Sequence, residues 1–233
     1  MPSVAKQWAV TTNGTFDFNN PTNWQFGIVP GILDAAAFNT NVNDTVTGSA
    51  TIAELQIDLG LITLTGSYTL SGAQPTELST GFDGGLIIAP GASVSGAGSI
   101  SVFGELIVEG ALSGSSMAIS GAPAFLTLSP GSILDVGSIS LGVGGFIGTA
   151  QTGATEIGIG TGNPLQISGA VSQLASELLI TGTVSGTGLL QVFGSVELDG
   201  SNTYSGGATL SPSGLAGSVL AVGRHTVTAA LRP

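Results

Sequence analysis

Val184 to Leu210 reads VSGTGLLQVFGSVELDGSNTYSGGATL, and the first half of this stretch occurs twice in the chain. Val94 to Gly110 reads VSGAGSISVFGELIVEG and shares V-S-G-x-G, V-F-G and a final Gly with the later copy, at an offset of 90 residues. A weaker repeat at an offset of 40 aligns LIIAPG, residues 86–91, with LTLSPG, residues 126–131. Self-similarity of this kind indicates a repeat architecture.

Both copies alternate as β-strands do. The predicted inward positions are Leu106 and Val108 in the first copy and Val196 and Leu198 in the second; the predicted outward positions are Ile107, Glu109, Glu197 and Asp199. A period of two residues, bounded by glycine, predicts short strands closed by tight turns. Glycine suits those turns because it tolerates positive φ and close backbone approach.

Residues 194–210, GSVELDGSNTYSGGATL, resemble the autotransporter-associated β-strand repeat. The match is carried by Leu198, Gly200, Asn202, Thr203, Tyr204, Gly206, Gly207 and Leu210, whereas Ala208 stands where that family usually has Thr. The resemblance covers one full copy, with degenerate relatives over about residues 45–215. It implies a single-stranded, right-handed parallel β-helix exported to a bacterial cell surface, and it implies no reaction.

Composition fits an all-β solenoid better than disorder or a membrane helix. Charged residues make up 7% of the 233 residues, and 38 are glycine. No stretch approaches about 18 uninterrupted apolar residues, so no transmembrane helix is predicted. The chain has no Cys, so an exported form would rely on its apolar core for stability.

The charge is one-sided. The only basic side chains are Lys6, Arg224 and Arg232, whereas all 14 carboxylates lie between Gln7 and Gly223. Nucleic acid is therefore a poor partner, because phosphate binding needs Lys or Arg. The partners we expect are glycans or proteins on a host or neighbouring cell, and we expect no cofactor.

Residues 1–40 form a predicted N-terminal capping segment that holds six aromatics, including both Trp. Asn23-Trp24, Val29-Pro30-Gly31 and then Asp34, Ala36 and Phe38 resemble the opening of many autotransporter passengers. Large aromatics can close the open apolar end of a solenoid, and Pro30 can block further strand pairing. The alternative is a sugar-stacking platform made by Trp8 and Trp24.

Residues 41–215 form the predicted parallel β-helix. Leu55, Ile57 and Leu59 should point inward, as should Ile62, Leu64, Tyr68 and Leu70. Residues 142–162, the most glycine-rich part, are interpreted as thin turns of the solenoid or a protruding loop. Val171 to Leu179 has apolar residues at helical spacing, but it is short and a strand is preferred.

The ends of the chain differ from a complete passenger. The opening MPSVAKQWAV lacks the apolar run of a signal peptide. Residues 216–233 hold two of the three basic residues and His225, the only His, and are interpreted as an atypical or truncated C-terminal end. The resemblance then implies either a removed leader or an excised or truncated reading frame.

Few residue types for catalysis are present. A Ser-His-Asp arrangement is disfavoured because His225 is the only His, and zinc ligands are nearly missing. The carboxylates Glu105, Glu109, Glu197 and Asp199 remain as candidates for glycoside cleavage. A calcium site could draw on Asn39, Asn41, Asn43 and Asp44, although Asn-rich turns explain these residues equally well.

The sequence therefore predicts an all-β parallel β-helix with an aromatic-rich N-terminal cap, acting without catalysis as a stalk or adhesin at the cell surface. No catalytic, cofactor-binding or metal residue is assigned. The alternatives are a polysaccharide-degrading β-helix enzyme with paired carboxylates, and a truncated remnant without a separate function. A groove lined by two close acids and aromatics would favour the enzyme, and a smooth side over a continuous apolar interior would favour the stalk.

Overall fold

The computed structural model describes residues 4–71, 77–119, 124–129 and 132–136, and beyond these the strands up to residue 222, with side-chain burial there only for Leu198 and Ala208. The strands, in chain order, are β1 Val4–Gln7, β2 Gly14–Asp17, β3 Asp34–Phe38, β4 Asn43–Thr47, β5 Ala50–Ile52, β6 Glu54–Leu64, β7 Ser67–Leu70, β8 Glu77–Ile88, β9 Ser93–Ala97, β10 Ser99–Val102, β11 Glu105–Val108, β12 Ala111–Gly114, β13 Met117–Ile119, β14 Ala124–Leu128, β15 Ile133–Val136, β16 Ile139–Leu141, β17 Gly145–Thr149, β18 Thr155–Ile159, β19 Pro164–Ile167, β20 Ser172–Ala175, β21 Leu178–Ile180, β22 Thr183–Gly186, β23 Leu190–Phe193, β24 Ser195–Leu198, β25 Thr203–Tyr204, β26 Ala208–Leu210 and β27 Val219–Val222.

Within the part of the chain that the structure describes, helix is limited to two 3-10 turns, Pro21–Asn23 and Gln25–Gly27. None of the described helices is long and apolar enough to cross a membrane.

Parallel pairing stacks these strands into three ladders, which form three faces of a β-solenoid. The first face contains β1, β3, the first part of β6 and of β8, β10, β13, β16, β19, β22 and β25. The second face contains β2, β4, the second part of β6 and of β8, β11, β14, β17, β20, β23 and β26. The third face contains β5, β7, β9, β12, β15, β18, β21, β24 and β27. The predicted all-β parallel solenoid is confirmed.

Apolar side chains stack in columns inside the solenoid. Leu106 pairs with Leu86 on one side and Leu126 on the other, and all three are buried. Fully burying a Leu side chain contributes about 1.5–3 kcal/mol, and stacking repeats this gain at every turn. The predicted inward positions Leu106, Val108 and Leu198 are confirmed, as are Ile62, Leu64, Tyr68 and Leu70.

Leu59 was predicted to point inward, and this prediction is wrong. Its side chain is 37% exposed, whereas Leu55 and Ile57 are fully buried. The chain turns the corner between the first and second faces here, and the register of β6 against β8 shifts between Ile57 and Leu59. The alternation of a single strand does not continue through such a corner.

Glycine forms this corner because successive turns approach closely there. A Cβ atom on Gly84 would lie 2.0 Å from the carbonyl oxygen of Ile57, and one on Gly104 would lie 2.2 Å from that of Gly81. Any side chain would force the stacked backbones apart. The stacked glycines therefore leave a strip of bare backbone along this edge of the solenoid.

Aromatic rings close the N-terminal end of the interior. Trp8 and Trp24 are buried, with ring centroids 4.8 Å apart, and Phe18 and Phe38 pack around them. The indole N–H of Trp24 donates to the carbonyl oxygen of Phe18 at 2.7 Å. The aromatic cap is confirmed, and the alternative of a sugar platform on the two tryptophans is wrong because neither ring reaches solvent.

Later parts of the chain follow the same plan. The Val171–Leu179 stretch contributes strands β20 and β21, so the preference for strand over helix is confirmed. The glycine-rich stretch 142–162 contributes β17 and β18, and its remaining residues lie outside the described part. Strand β27 adds residues 219–222 to the third face.

Candidate functional site

A groove runs along the edge between the first and second faces. It has a volume of about 430 Å³ and is lined by Asn41, Asn43, Gly60, Leu61, Phe82, Asp83, Gly84, Gly85, Gly104, Glu105 and Phe125. The lining residues come from β4, β6, β8, β11 and β14 and the corners that precede them, so the groove crosses several turns. Its floor is the strip of corner glycines. We call this feature the edge groove.

Two exposed phenylalanines, Phe82 and Phe125, line the edge groove, and a third, Phe103, is exposed beside Phe82. Phe82 is 69% exposed, and Phe103 and Phe125 are each more than one-third exposed. The rings of Phe82 and Phe103 lie with centroids 5.7 Å apart and planes tilted by 46°. These rings add nothing to the solenoid interior, and contiguous exposed apolar surface commonly marks a place where another molecule binds.

Two carboxylates share the edge groove with these rings. Asp83 and Glu105 both line it, and both are exposed. Glu105 is the Cα partner of Gly85 on one side and of Phe125 on the other. A Cβ atom on Gly85 would lie 2.6 Å from Leu61 Cδ1 and 3.7 Å from Glu105 Oε2. The Leu61 methyl group therefore already occupies the space beside Gly85, next to the Glu105 carboxylate.

The predicted carboxylate candidates do not come together. Glu109 lies four residues beyond Glu105, about 13 Å along the chain at 3.3 Å per residue, which exceeds the separation used in glycoside cleavage. Glu197 belongs to β24 on the third face, and Asp199 lies outside the described residues. Among the candidates whose side chains the structure describes, only Glu105 lines the edge groove.

The carboxylate beside Glu105 is Asp83, which sequence reasoning missed. Phe82-Asp83-Gly84-Gly85 and Phe103-Gly104-Glu105 share a Phe, a carboxylate and a glycine, but in a different order. The sequence alone does not show that these two segments lie side by side. Their alignment requires the number of residues in the solenoid turn that separates them.

Asp44 has a structural role in the cap. It is buried, and its two oxygens accept hydrogen bonds from the Trp8 indole N–H at 2.9 Å and from the backbone N–H of Gly14 at 3.1 Å. Both oxygens are thus already used to fix the cap. Among the described residues, no group of three or more acidic, His or Cys side chains could hold a metal.

A second hollow, of about 350 Å³, lies beside β1 and is lined by Val4, Ala5, Lys6, Gln7, Gln25, Phe26 and Ile28. Phe26 is 93% exposed, and its positive φ of 61° is unusual for an aromatic residue. Lys6 lies 3.8 Å from Asp34 and partly offsets that charge.

No basic residue occurs between Gln7 and Gly223, so Asp83 and Glu105 in the edge groove have no Lys or Arg beside them in the sequence.

The edge groove offers binding chemistry more than catalytic chemistry. Aromatic faces, amide groups and carboxylates can together hold an extended polar ligand. A general acid, by contrast, needs a burial-raised pKa and a site that excludes water.

No family model, curated protein or solved structure matches this chain.

Proposed function

We propose that this chain is a non-enzymatic β-solenoid segment of a secreted or outer-membrane-surface protein, of the autotransporter-passenger type, and that it acts as an adhesin. The observation that carries the proposal is the edge groove with its exposed phenylalanines. A stalk needs only the stacked interior, whereas exposed aromatic rings cost solubility unless they serve a ligand.

The second candidate function is cleavage of a polysaccharide by paired carboxylates. It is favoured by one observation, the presence of Asp83 and Glu105 in the same groove beside aromatic rings. It is disfavoured by the exposure of both carboxylates, since glycoside cleavage is favoured by a site that excludes water.

One experiment separates these functions. The purified chain is incubated with a panel of insoluble neutral, acidic and amine-bearing polysaccharides, and both retained protein and newly released sugar ends are measured. Retention without release of sugar ends supports the adhesin. Release that is lost in the Asp83→Asn variant supports the enzyme. Absence of both, on every polymer and on intact cells, would leave the stalk or a remnant without a separate function.

The control for the aromatic contribution is a matched pair of variants. Phe82→Ser removes the most exposed ring of the edge groove, and we expect it to lower retention. Phe26→Asn removes an even more exposed ring elsewhere, at a positive φ that Asn tolerates better, and we expect it to leave retention unchanged. Equal loss in both variants would mean that nonspecific hydrophobic adsorption causes the retention.

A further inference from the structure

We infer that the edge groove binds an amine-bearing glycan, a short run of glucosamine-type sugars whose ammonium groups meet Asp83 and Glu105. This inference rests on the proposed adhesive function and specifies its ligand. It is carried by the combination of two exposed carboxylates, exposed aromatic faces and the absence of any basic residue in the sequence from residue 8 to residue 223.

Charge selects a cationic ligand. The chain carries a formal net charge of −11, and the edge groove adds two carboxylates on one open surface. Such a surface concentrates cations and repels uronic acids, sulfated sugars and phosphates. The faces of Phe82 and Phe125 also attract cations, because the π face of an aromatic ring is negative. The carboxylates and the aromatic faces therefore both favour a positively charged ligand.

The length and shape of the edge groove favour a chain of linked sugar rings. Asn43, Leu61, Gly85, Glu105 and Phe125 are successive Cα partners across the edge groove. At about 4.8 Å between neighbouring strands, these positions extend over roughly 19 Å, enough for several linked sugars. The polarised C–H groups on one side of a pyranose ring can lie against a phenylalanine face. Its hydroxyl groups can bond the side-chain amides of Asn41 and Asn43, which donate and accept.

The backbone argues against a basic peptide as the occupant. A peptide that binds in extended form usually adds a strand to an open sheet edge. Strands β6, β8 and β11, which line the groove, are each paired on both sides. The edge groove therefore offers side chains and bare glycine backbone, but no unpaired strand for a peptide to extend.

The test compares three oligomers of equal length by titration calorimetry at about pH 5.5, where ordinary carboxyls are ionised. They are a glucosamine hexamer, an N-acetylglucosamine hexamer and hexalysine. The glucosamine hexamer should bind several-fold to about tenfold more tightly than the N-acetylated one, since two exposed charge contacts together reach that order. Raising the salt concentration to about 0.5 M should reduce this difference, because the Debye length shortens.

Variants assign the binding to the edge groove. Asp83→Asn combined with Glu105→Gln should abolish the preference for the amine, whereas Asp135→Asn, which removes an exposed carboxylate of the third face, should retain it. Phe82→Ser should weaken both sugar hexamers. Each variant must first keep the melting temperature of the parent chain.

Three results would overturn the inference. Equal binding of the two sugar hexamers would show that charge does not select the ligand, while leaving the adhesin proposal intact. Hexalysine binding as tightly as the glucosamine hexamer would mean that only charge is recognised. An amine preference that survives the double carboxylate variant would place the site elsewhere. Failure of the adhesin proposal has a different readout, the absence of retention on every polymer and on intact cells.

Discussion

Replacing Tyr68 with Phe should stabilise the solenoid at neutral pH. Tyr68 lies on the inner side of β7, is fully buried and packs edge-on against Phe18, with ring centroids 5.4 Å apart. Its hydroxyl group has no hydrogen-bond partner in the described structure. A buried hydroxyl without a partner costs about 1–3 kcal/mol relative to water, and phenylalanine keeps the ring while removing that cost. We therefore expect the variant to be more stable by about 1 kcal/mol at pH 7.

The same residue should make the fold sensitive to alkali. Burial, and to a lesser extent the nearby charge of Asp17, raise the pKa of Tyr68 above its ordinary value. The folded state then keeps the phenolic proton at a pH where the unfolded chain loses it, at a pKa of about 10. Stability from this group is fully present below about pH 10 and declines above it. At pH 11 the loss amounts to about 1.4 kcal/mol, one pH unit of linkage.

Urea unfolding at pH 7, 10 and 11 measures both effects in the parent chain and the variant. The Tyr68→Phe variant should gain stability at pH 7 and lose about 1 kcal/mol less than the parent between pH 10 and pH 11, because part of the total loss of about 1.4 kcal/mol has already occurred at pH 10. Tyr204→Phe, which removes the other tyrosine of the chain, measures how much of the alkaline loss arises elsewhere. A variant less stable than the parent at pH 7, or an unchanged alkaline loss, would refute the reasoning.

Three further predictions concern the interior, the cap and the corner. Leu134→Asp should cost several kcal/mol because it buries a carboxylate, whereas Ile133→Asp, at a position 60% exposed, should be nearly neutral; equal losses in melting temperature would contradict the register. Asp44→Asn should lower stability by about 1–3 kcal/mol, because an amide cannot accept from both N–H groups that the carboxylate serves, and an unchanged thermal melt would argue against the anchoring role. Gly84→Ala should strongly destabilise the fold because its Cβ would collide with a stacked carbonyl oxygen, and normal stability would mean that the corner is looser than described.

The interior was predictable from the sequence because the side of a strand on which a residue lies depends only on its position in that strand. Alternation along each strand puts Leu106, Val108 and Leu198 inside, whatever the neighbouring turns contain. The cap was also predictable, since a solenoid end needs large apolar groups and the first forty residues hold both tryptophans. These inferences required no knowledge of which strand lies beside which.

The edge groove was not predictable because it depends on the pairing of distant strands. Glu105 was a candidate from the sequence, but its relation to Asp83 arises only when β11 is placed beside β8 in the observed register. Phe82, Phe103 and Phe125 lie about twenty residues apart in the sequence, and nothing there shows that they share one edge of the solenoid. Their exposure is decided by the corners, where the alternation that places core residues does not apply, as Leu59 also shows.

The turns of the solenoid differ in length. This explains why the repeat at an offset of 40 residues relates positions on the same face, whereas the repeat at an offset of 90 residues does not. Successive partners on the first face, Leu55, Leu78, Ile100 and Met117, are separated by 23, 22 and 17 residues. The offset of 40 residues happens to equal two turns, so Leu86 and Leu126 belong to one column through their common partner. A fixed period therefore cannot describe the whole chain.

The offset of 90 residues moves the repeat to a different face. Four turns beyond Leu106 the column reaches Val192, only 86 residues further along the chain, whereas the sequence repeat equates Leu106 with Val196. Val196 lies on β24 of the third face, and Leu106 lies on β11 of the second. The same V-F-G segment thus ends one strand and leads into the next at two different corners. What the sequence repeats is a strand–corner–strand unit that any face can use, because all three faces bury one side against the same interior.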